Sequence, residues 1–404
     1  MINKEEVSQE VILMHIVFAT HSYWPHLDGV QMVNQYMAEG LVNAGHRVTI
    51  LTSRLENYSQ YEKHNGVEIY RFVHRSVLKF NFGESKKFKK FLLKNREEID
   101  VLIVVAAQSF AGEWALQVSN QLFCKKIMYM HGMKMEHVDI HKTKNFCHFM
   151  KEYILSLWSC CYFKYYWNKV LSFDAAIHLF ERDSSFIYFR NHGFENNIVI
   201  KNGCDSILFK TVRNIEKKHT IKEIYHIKKR YFLCVANYNK NKNQKAALKA
   251  YYETNIENID LIFVGSDRNE YFEELEKMNQ KLEEKDKFKH SVKILYGISR
   301  EDTISIIKDA YAIVLSSDSE YLPITILEGL AAGKPYISTN VGVVPLLPGG
   351  VIAHDNKELV YWMEYYAGHS EYVDKLGKIG REYAERELCI DDKVDQLKEV
   401  IFNL

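Results

Sequence analysis

Proline is scarce in this chain, with five among 404 residues (Pro25, Pro323, Pro335, Pro345 and Pro348). That excludes proline-rich linkers and polyproline recognition segments, and leaves proline as a stiffener of individual loops. The seven cysteines are odd in number, scattered and never spaced C-x-x-C. Neither a disulfide framework nor a zinc site is expected from them. Charge of one sign is also missing, since the net charge is +1. A global attraction to nucleic acid is therefore excluded, and any basic patch has to be local. No apolar run is long enough to span a bilayer, and the first one, Val11 to Thr20, follows an acidic leader with Glu5, Glu6 and Glu10. It reads as the first strand of a cytoplasmic protein. Finally, there is no Asp-x-Asp to hold a divalent cation against a diphosphate, no Walker loop and no G-x-G-x-x-G. Chemistry on phosphates would have to proceed without those devices and without a metal.

What is present is alternation. Short runs rich in Val, Ile and Leu recur between longer helical stretches: Ile16 to Thr20, Val48 to Thr52, Val101 to Val105, Lys126 to Met130, Ala175 to Leu179 and Ile198 to Ile200. A second series runs through Tyr231 to Ala236, Leu261 to Val264, Val292 to Leu295, Ala312 to Leu315 and Tyr336 to Ser338. Fully apolar strands alternating with helices imply parallel sheets covered on both faces. The length suits two such domains. The charged stretch Thr211 to Arg230 separates the two series, so the expected division is 1–209, 210–385 and a closing helical segment 386–404 that packs back toward the first domain. After Val351 the pattern is helical to the end. All five prolines fall in loops beside strand ends, where parallel α/β sheets bind their ligands.

The most informative stretch runs from Ser316 through Glu320-Tyr-Leu-Pro-Ile-Thr-Ile-Leu-Glu328 to Gly-Leu-Ala-Ala-Gly-Lys-Pro335. It follows a strand. Pro323 suits the first turn of a helix that Gly333 ends and Pro335 prevents from continuing. Glu328 then lies mid-helix among apolar residues and needs a specific partner, because an unpaired buried carboxylate is costly. Glu320 sits just before the helix. Between the two carboxylates lie the free backbone N–H groups of the first turn, a site suited to an anion such as a diphosphate.

Glu320, seven residues and Glu328, followed by Gly-Leu-Ala-Ala-Gly-Lys-Pro, resembles the signature of the GT4 family of retaining GT-B glycosyltransferases, glycosyl transferases group 1. Further matches follow in that family's order: Pro25-His-Leu-Asp-Gly29, Ala44-Gly-His-Arg-Val48, His131-Gly132, Lys201-Asn-Gly-Cys-Asp205 with Phe209, Tyr296-Gly297, and Val341-Gly342. The resemblance implies two Rossmann-like domains facing across a cleft, an UDP- or GDP-linked sugar as donor, and retention at the anomeric carbon. It places Glu328 on the nucleotide ribose, and Leu322, Ile324, Thr325 and Tyr296 beside the donor. Glu320 would contact the sugar near the reacting carbon, with His131 also lining the active site. Gly29 would let the first loop approach the diphosphate closely, since a residue without Cβ clears the way for backbone N–H groups. Asn202 and Asp205 mark a turn that shapes the cleft. Lys242 matches the lysine that faces the donor phosphates, whereas Asn237 stands where the family has arginine. That replacement keeps open a sugar-nucleotide-binding protein with impaired catalysis; an epimerase or hydrolase of related fold is a further alternative.

On the acceptor side, Lys86 to Arg96 sets Phe88, Phe91 and Leu92 on one helical face with cations around it. It reads as a helix covering the sheet, with a basic face available for peripheral contact with an anionic membrane. Tyr153 to Trp167 is dense in aromatics, interrupted by Lys164, and reads as a buried or cleft-lining helix. Together they suggest a glycan or lipid-linked acceptor at the inner face of the plasma membrane.

Overall fold

The structure is a computed structural model and describes residues 13–25, 29–77, 80–133, 146–210 and 221–404. The acidic leader, residues 26–28 of the loop before Gly29, and residues 211–220 of the expected connection lie outside the described residues. Two compact units are present: Met1–Lys201 with Val394–Leu404, and Asn202–Lys393.

The first unit contains the strands β1 (His15–Ala19), β2 (Arg47–Ser53), β3 (Tyr61–His64), β4 (Val67–Phe72), β5 (His74–Val77), β6 (Phe80–Gly83), β7 (Val101–Val105), β8 (Lys125–Tyr129), β9 (Ala175–His178) and β10 (Asn197–Val199). Eight of them form one sheet in the order β10-β9-β8-β7-β1-β2-β4-β3, parallel except for the terminal β3 and β4 pair. β1 reads His-Ile-Val-Phe-Ala and is buried along its whole length, as a central strand with both faces covered must be. Phe88 and Leu92 of the helix Ser85–Lys94 are fully buried against this sheet, so its apolar face joins the core while its lysines stay outside. Trp114, Tyr162, Phe163 and Tyr166 fill the same core.

The second unit adds β11 (Arg230–Val235), β12 (Ile259–Gly265), β13 (Val292–Tyr296), β14 (Ala312–Leu315), β15 (Tyr336–Thr339) and β16 (Gly350–Ala353). These form a six-stranded parallel sheet in the order β13-β12-β11-β14-β15-β16. Its core includes Phe232, Leu261, Phe263, Val314, Ile337, Met363 and Tyr366. The helices Asn356–Gly368, Ser370–Glu387 and Ile390–Asn403 complete the chain.

Several expectations change. β3 to β6 were not anticipated, because β4 (Val-Glu-Ile-Tyr-Arg-Phe) mixes charges into its apolar pattern and the pair of β5 with β6 is largely exposed. β16 interrupts the expected all-helical region after Val351, its four residues pairing in register with β15. Residues 202–209 lie with the second unit, so the division falls at 201 and not at 209. The reason is local hydrogen bonding: Cys204 N donates to Leu388 O at 2.7 Å, and the Arg381 guanidinium donates to Leu208 O at 3.2 Å and Phe209 O at 2.5 Å. The part of the C-terminal segment that belongs to the first unit is 394–404, shorter than the predicted 386–404. Among the described residues no helix is long and apolar enough to cross a membrane.

His178 illustrates the cost of a polar group in such a sheet. It is fully buried in β9, with Nδ1 at 2.8 Å from Ser185 Oγ and Nε2 at 2.9 Å from Asn197 Oδ1. Burial pulls its pKa down to about 4, partly offset by the hydrogen bond to Asn197. The folded state therefore holds His178 neutral while the unfolded chain takes up a proton near pH 6.5. This stabilisation is present above about pH 6.5 and is lost as pH falls toward 4. Denaturant titrations from pH 7 to pH 4 are expected to show a loss of roughly 3 kcal/mol attributable to His178. His178→Gln should flatten that dependence, whatever it does to stability at pH 7.

Candidate active site

All strands of the second sheet run one way, so the loops following them emerge along one edge. The chain leaves β11 toward β12 on one side and returns through β14 on the other, making the boundary between β11 and β14 the topological switch point. In parallel sheets the loops following the two strands at such a point form the usual ligand position. The loop after β11 carries Asn237 and Lys242, and the loop after β14 carries Ser317 and Glu320.

Hydrogen bonds join the two loops. Asp318 N donates to Asn241 O at 2.8 Å, Asn241 Nδ2 to Ser319 O at 2.8 Å, and Asn243 Nδ2 to Asp318 Oδ1 at 2.9 Å. Asn243 adopts the left-handed conformation, φ 46°, which asparagine tolerates better than most residues. Within this frame Lys242 Nζ lies 2.6 Å from Glu320 Oε1, and Ser317 Oγ donates to the same oxygen at 2.8 Å. The pair is only partly open to solvent, with side-chain exposures of 26% and 11%. Beneath it, on β11, burial pushes the Cys234 thiol up to about 12, with Lys242 opposing and Glu320 adding to the shift.

The helix Ile324–Ala331 follows. Pro323 occupies its cap position in an extended conformation, one residue earlier than the predicted first turn. Gly333, with φ 69°, terminates it as expected. Thr325 Oγ1 donates to Val235 O at 2.8 Å, tying the first turn to the end of β11. The N–H groups of Ile324 and Thr325 have no intrahelical acceptor by helix geometry and are the polar groups this end offers. Leu322 is buried, while Ile324 and Thr325 are partly exposed.

Glu328 is 3% exposed, and its partner is Arg300, whose guanidinium bonds Glu328 Oε1. Arg300 begins the helix Arg300–Asp309, which Ser299 caps by accepting from Asp302 N at 3.1 Å. Sequence reasoning demanded a partner for Glu328 but did not name Arg300. The signal available was Ser299-x-x-Asp302, a helix start three residues after Tyr296-Gly297. Residues 202–205 adjoin this pair: burial raises the Cys204 thiol strongly, with Glu328 adding to the effect and Arg300 opposing it. Asp205 caps the turn Ser206–Phe209 by accepting from Ile207 N at 2.9 Å, and Asn202 is buried at 4% exposure.

Asn237, in the arginine position, accepts from Ser266 Oγ at 2.8 Å through its Oδ1. The Asn237 side chain thus joins the loop after β12. Tyr296 is exposed, packs edge-on against Phe272 with ring centroids 5.2 Å apart, and bonds Arg268. His131 and Gly29 belong to the first unit. His131 follows β8, is buried, and lies 4.5 Å from the Tyr129 ring. Gly29 is exposed at the first position of the helix Gly29–Asn43. The structure thus gathers Glu320, Lys242, Asn237, Tyr296, Leu322, Ile324, Thr325, Glu328, Asn202 and Asp205 in the second unit, with His131 and Gly29 in the first.

Residues 215–355 match the family model described as glycosyl transferases group 1. No curated protein sequence matches the chain. Among solved structures, the sucrose-phosphate synthase of Thermosynechococcus elongatus is similar, with 15% identity, a TM-score of 0.70, and coverage of 96% of this chain and 98% of that one. HepE from Anabaena, solved with UDP and glucose, gives 15% identity, a TM-score of 0.72, and coverage of 97% and 100%. A glycosyltransferase of Rickettsia africae gives 16%, 0.70, 96% and 98% in the same order. The likeness extends the GT-B fold over both units, and the family match identifies the second unit as that of a glycosyltransferase.

Substitutions at two positions test this site. Arg300→Ala strands the buried Glu328 carboxylate and is expected to cost about 2 kcal/mol of stability, the partly exposed arginine placing it below the cost of breaking a fully buried pair. Arg300→Lys, which keeps the charge, should recover part of that in denaturant unfolding. Gly342 has φ 51°, and a Cβ there would meet Tyr321 O at 2.2 Å and Glu320 O at 2.5 Å. Gly342→Ala should lower stability by about 1–3 kcal/mol and displace the Glu320 backbone, seen as shifted amide resonances around residues 317–321.

Proposed function

We propose, from the premise that residues 215–355 form a glycosyl transferases group 1 domain, that this chain is a retaining glycosyltransferase. It moves a hexosyl group from a nucleotide diphosphate sugar to a hydroxyl of a glycan or lipid-linked acceptor, in the synthesis of cell-surface polysaccharide or glycolipid. The observation that carries the reading is the placement of two carboxylate–cation pairs, Glu320 with Lys242 and Glu328 with Arg300, on either side of the first turn of the helix Ile324–Ala331.

Each part has a task in that chemistry. The diphosphate lies at the helix N-terminus, where backbone N–H groups and the helix dipole favour negative charge. Lys242 supplies a point charge to the leaving phosphate and so stabilises the charge that develops as the glycosidic bond breaks. Glu328 accepts hydrogen bonds from the ribose hydroxyls, and Glu320 from the donor sugar once Lys242 turns to the phosphate. Asn237 offers a neutral contact where arginine would give a charged one. The family resemblance gives His131 a role beside the donor sugar and Gly29 one beside the diphosphate. The donor C–O bond to phosphate breaks while the acceptor oxygen bonds to the anomeric carbon on the same face, and the acceptor proton passes to the departing phosphate oxygen. Lys242, the N–H groups and the helix dipole neutralise charge in this scheme, so no divalent cation is required.

UDP and GDP donors are the first to try. A thermal-shift screen of the purified chain against UDP, GDP, ADP, CMP and their sugar conjugates should give a rise with one nucleotide family, unchanged by EDTA. Glu328→Ala should weaken that nucleotide's binding at least tenfold, while Glu320→Gln should retain binding and lose turnover by at least a factor of about 100. No shift with any nucleotide would favour a protein that has lost donor binding, and full activity in both variants would refute the placement of the site.

A further inference from the structure

The helix Phe146–Val170 buries Tyr162, Phe163, Tyr166 and Val170 in the first unit's core, yet its opposite side carries large apolar side chains as well, with Lys164 and Asn168 among them. Met150, Tyr153, Ile154, Leu157 and Tyr165 are 36%, 45%, 57%, 48% and 74% exposed. Their positions, with the exposed Cys160 and Cys161 between them, follow the 3-4 spacing of one helical stripe. A water-facing stripe is normally polar, and a run of large exposed side chains in register marks an interaction surface.

At its C-terminal end the stripe meets positive charge. Tyr165 lines an open basin of about 750 Å³ together with Lys86, Lys89, Lys90, Lys94 and Lys169. Lys89 donates to Gln117 Oε1 at 2.9 Å and Lys169 to Gln117 O at 3.4 Å. None of the five pairs with a described carboxylate within 4.0 Å, whereas Lys87 on the same helix turns aside to Glu84. Glu113 acts on Lys89, its own pKa raised by burial and only partly lowered by Asn81 and Lys89.

We propose that this face docks the first unit on a membrane that carries anionic lipid. The lysines lie against the headgroups, and Tyr153, Ile154 and Leu157 enter the boundary between headgroups and acyl chains. Charge complementarity selects this occupant over a second copy of the chain. A two-fold interface on this surface would set five lysines near five others, a like-charge arrangement that no described carboxylate within 4.0 Å offsets. The inference extends the basic helix of residues 86–96 to a second helix, and it rests on the glycosyltransferase reading only for its purpose, bringing the enzyme to a lipid-linked acceptor.

The test uses the full chain and vesicles of phosphatidylcholine with or without phosphatidylglycerol, read by flotation. Binding is expected only with phosphatidylglycerol, weakening with salt. Each lysine at an anionic surface is worth about a fivefold change in affinity, so Lys86→Ser, Lys90→Ser and Lys94→Ser together should lose roughly 100-fold. Ile154→Ser with Leu157→Ser should lose at least about tenfold at fixed salt. Both variants should melt like the parent and release nucleotide from the donor in solution at the parental rate. Equal flotation with pure phosphatidylcholine, no flotation with either, or unchanged binding by both variants would overturn the proposal. So would a dimer of the parent that the Ile154/Leu157 variant converts to monomer, since a second copy would then cover the stripe. Flotation without any donor turnover would refute the catalytic reading and leave the docking face standing.

Discussion

Because every strand of the second sheet points the same way, that unit exposes all its strand-following loops at one edge, and a single reversal of strand order decides which two are neighbours. The reversal lies between β11 and β14, and the consequence is the 2.6 Å contact between Lys242 and Glu320, residues 78 apart in the chain. Neither loop alone makes a site. The backbone and side-chain bonds between residues 241–243 and 318–319 hold the loops in place, and the opposite charges then compensate each other while only partly in water. A ligand that brings its own negative charge can compete for Lys242, and a ligand that brings hydroxyls can compete for Glu320. In the proposed function, the resting pair stands in for the two halves of a glycosyl diphosphate.

The second pair obeys a stricter rule. Glu328 is nearly inaccessible in a helix otherwise made of Ile, Leu, Ala and Gly, and such a carboxylate survives only with a cation beside it. Arg300 answers from a different helix. Its placement depends on the cap at Ser299, so the start of one helix sets the charge environment inside another. Gly342 serves the same region from a third loop, since anything larger would collide with the carbonyls of Glu320 and Tyr321.

How much of this was legible in the chain depends on whether a feature has a local cause. Eleven strands announce themselves as apolar runs, because a strand covered on both faces has no room for alternation. β16, β3, β5 and β6 do not, being short, edge-placed or exposed, and β4 does not because charges break its apolar pattern. The helix after Glu320 was legible through Pro323 and Gly333, whose effects are confined to their own backbone. Arg300 was not legible, because a charge at a helix start looks the same whether it faces water or a buried carboxylate. The same limit applies to the helix Phe146–Val170, whose aromatics read as buried by composition although only one side of it is.

By itself, the sequence determined the fold class, the two strand series, the helix at 324–331 and the need for a partner at Glu328, since each follows from side-chain type and spacing within a few residues. Tertiary structure alone decided that the division falls at 201, that residues 394–404 belong to the first unit, that Lys242 meets Glu320 and Arg300 meets Glu328, and that five lysines share a basin with Tyr165. Those are matters of strand order and packing between segments far apart in the chain. No local preference encodes them, because a charge or an aromatic ring finds its partner only after the sheets have set the distance.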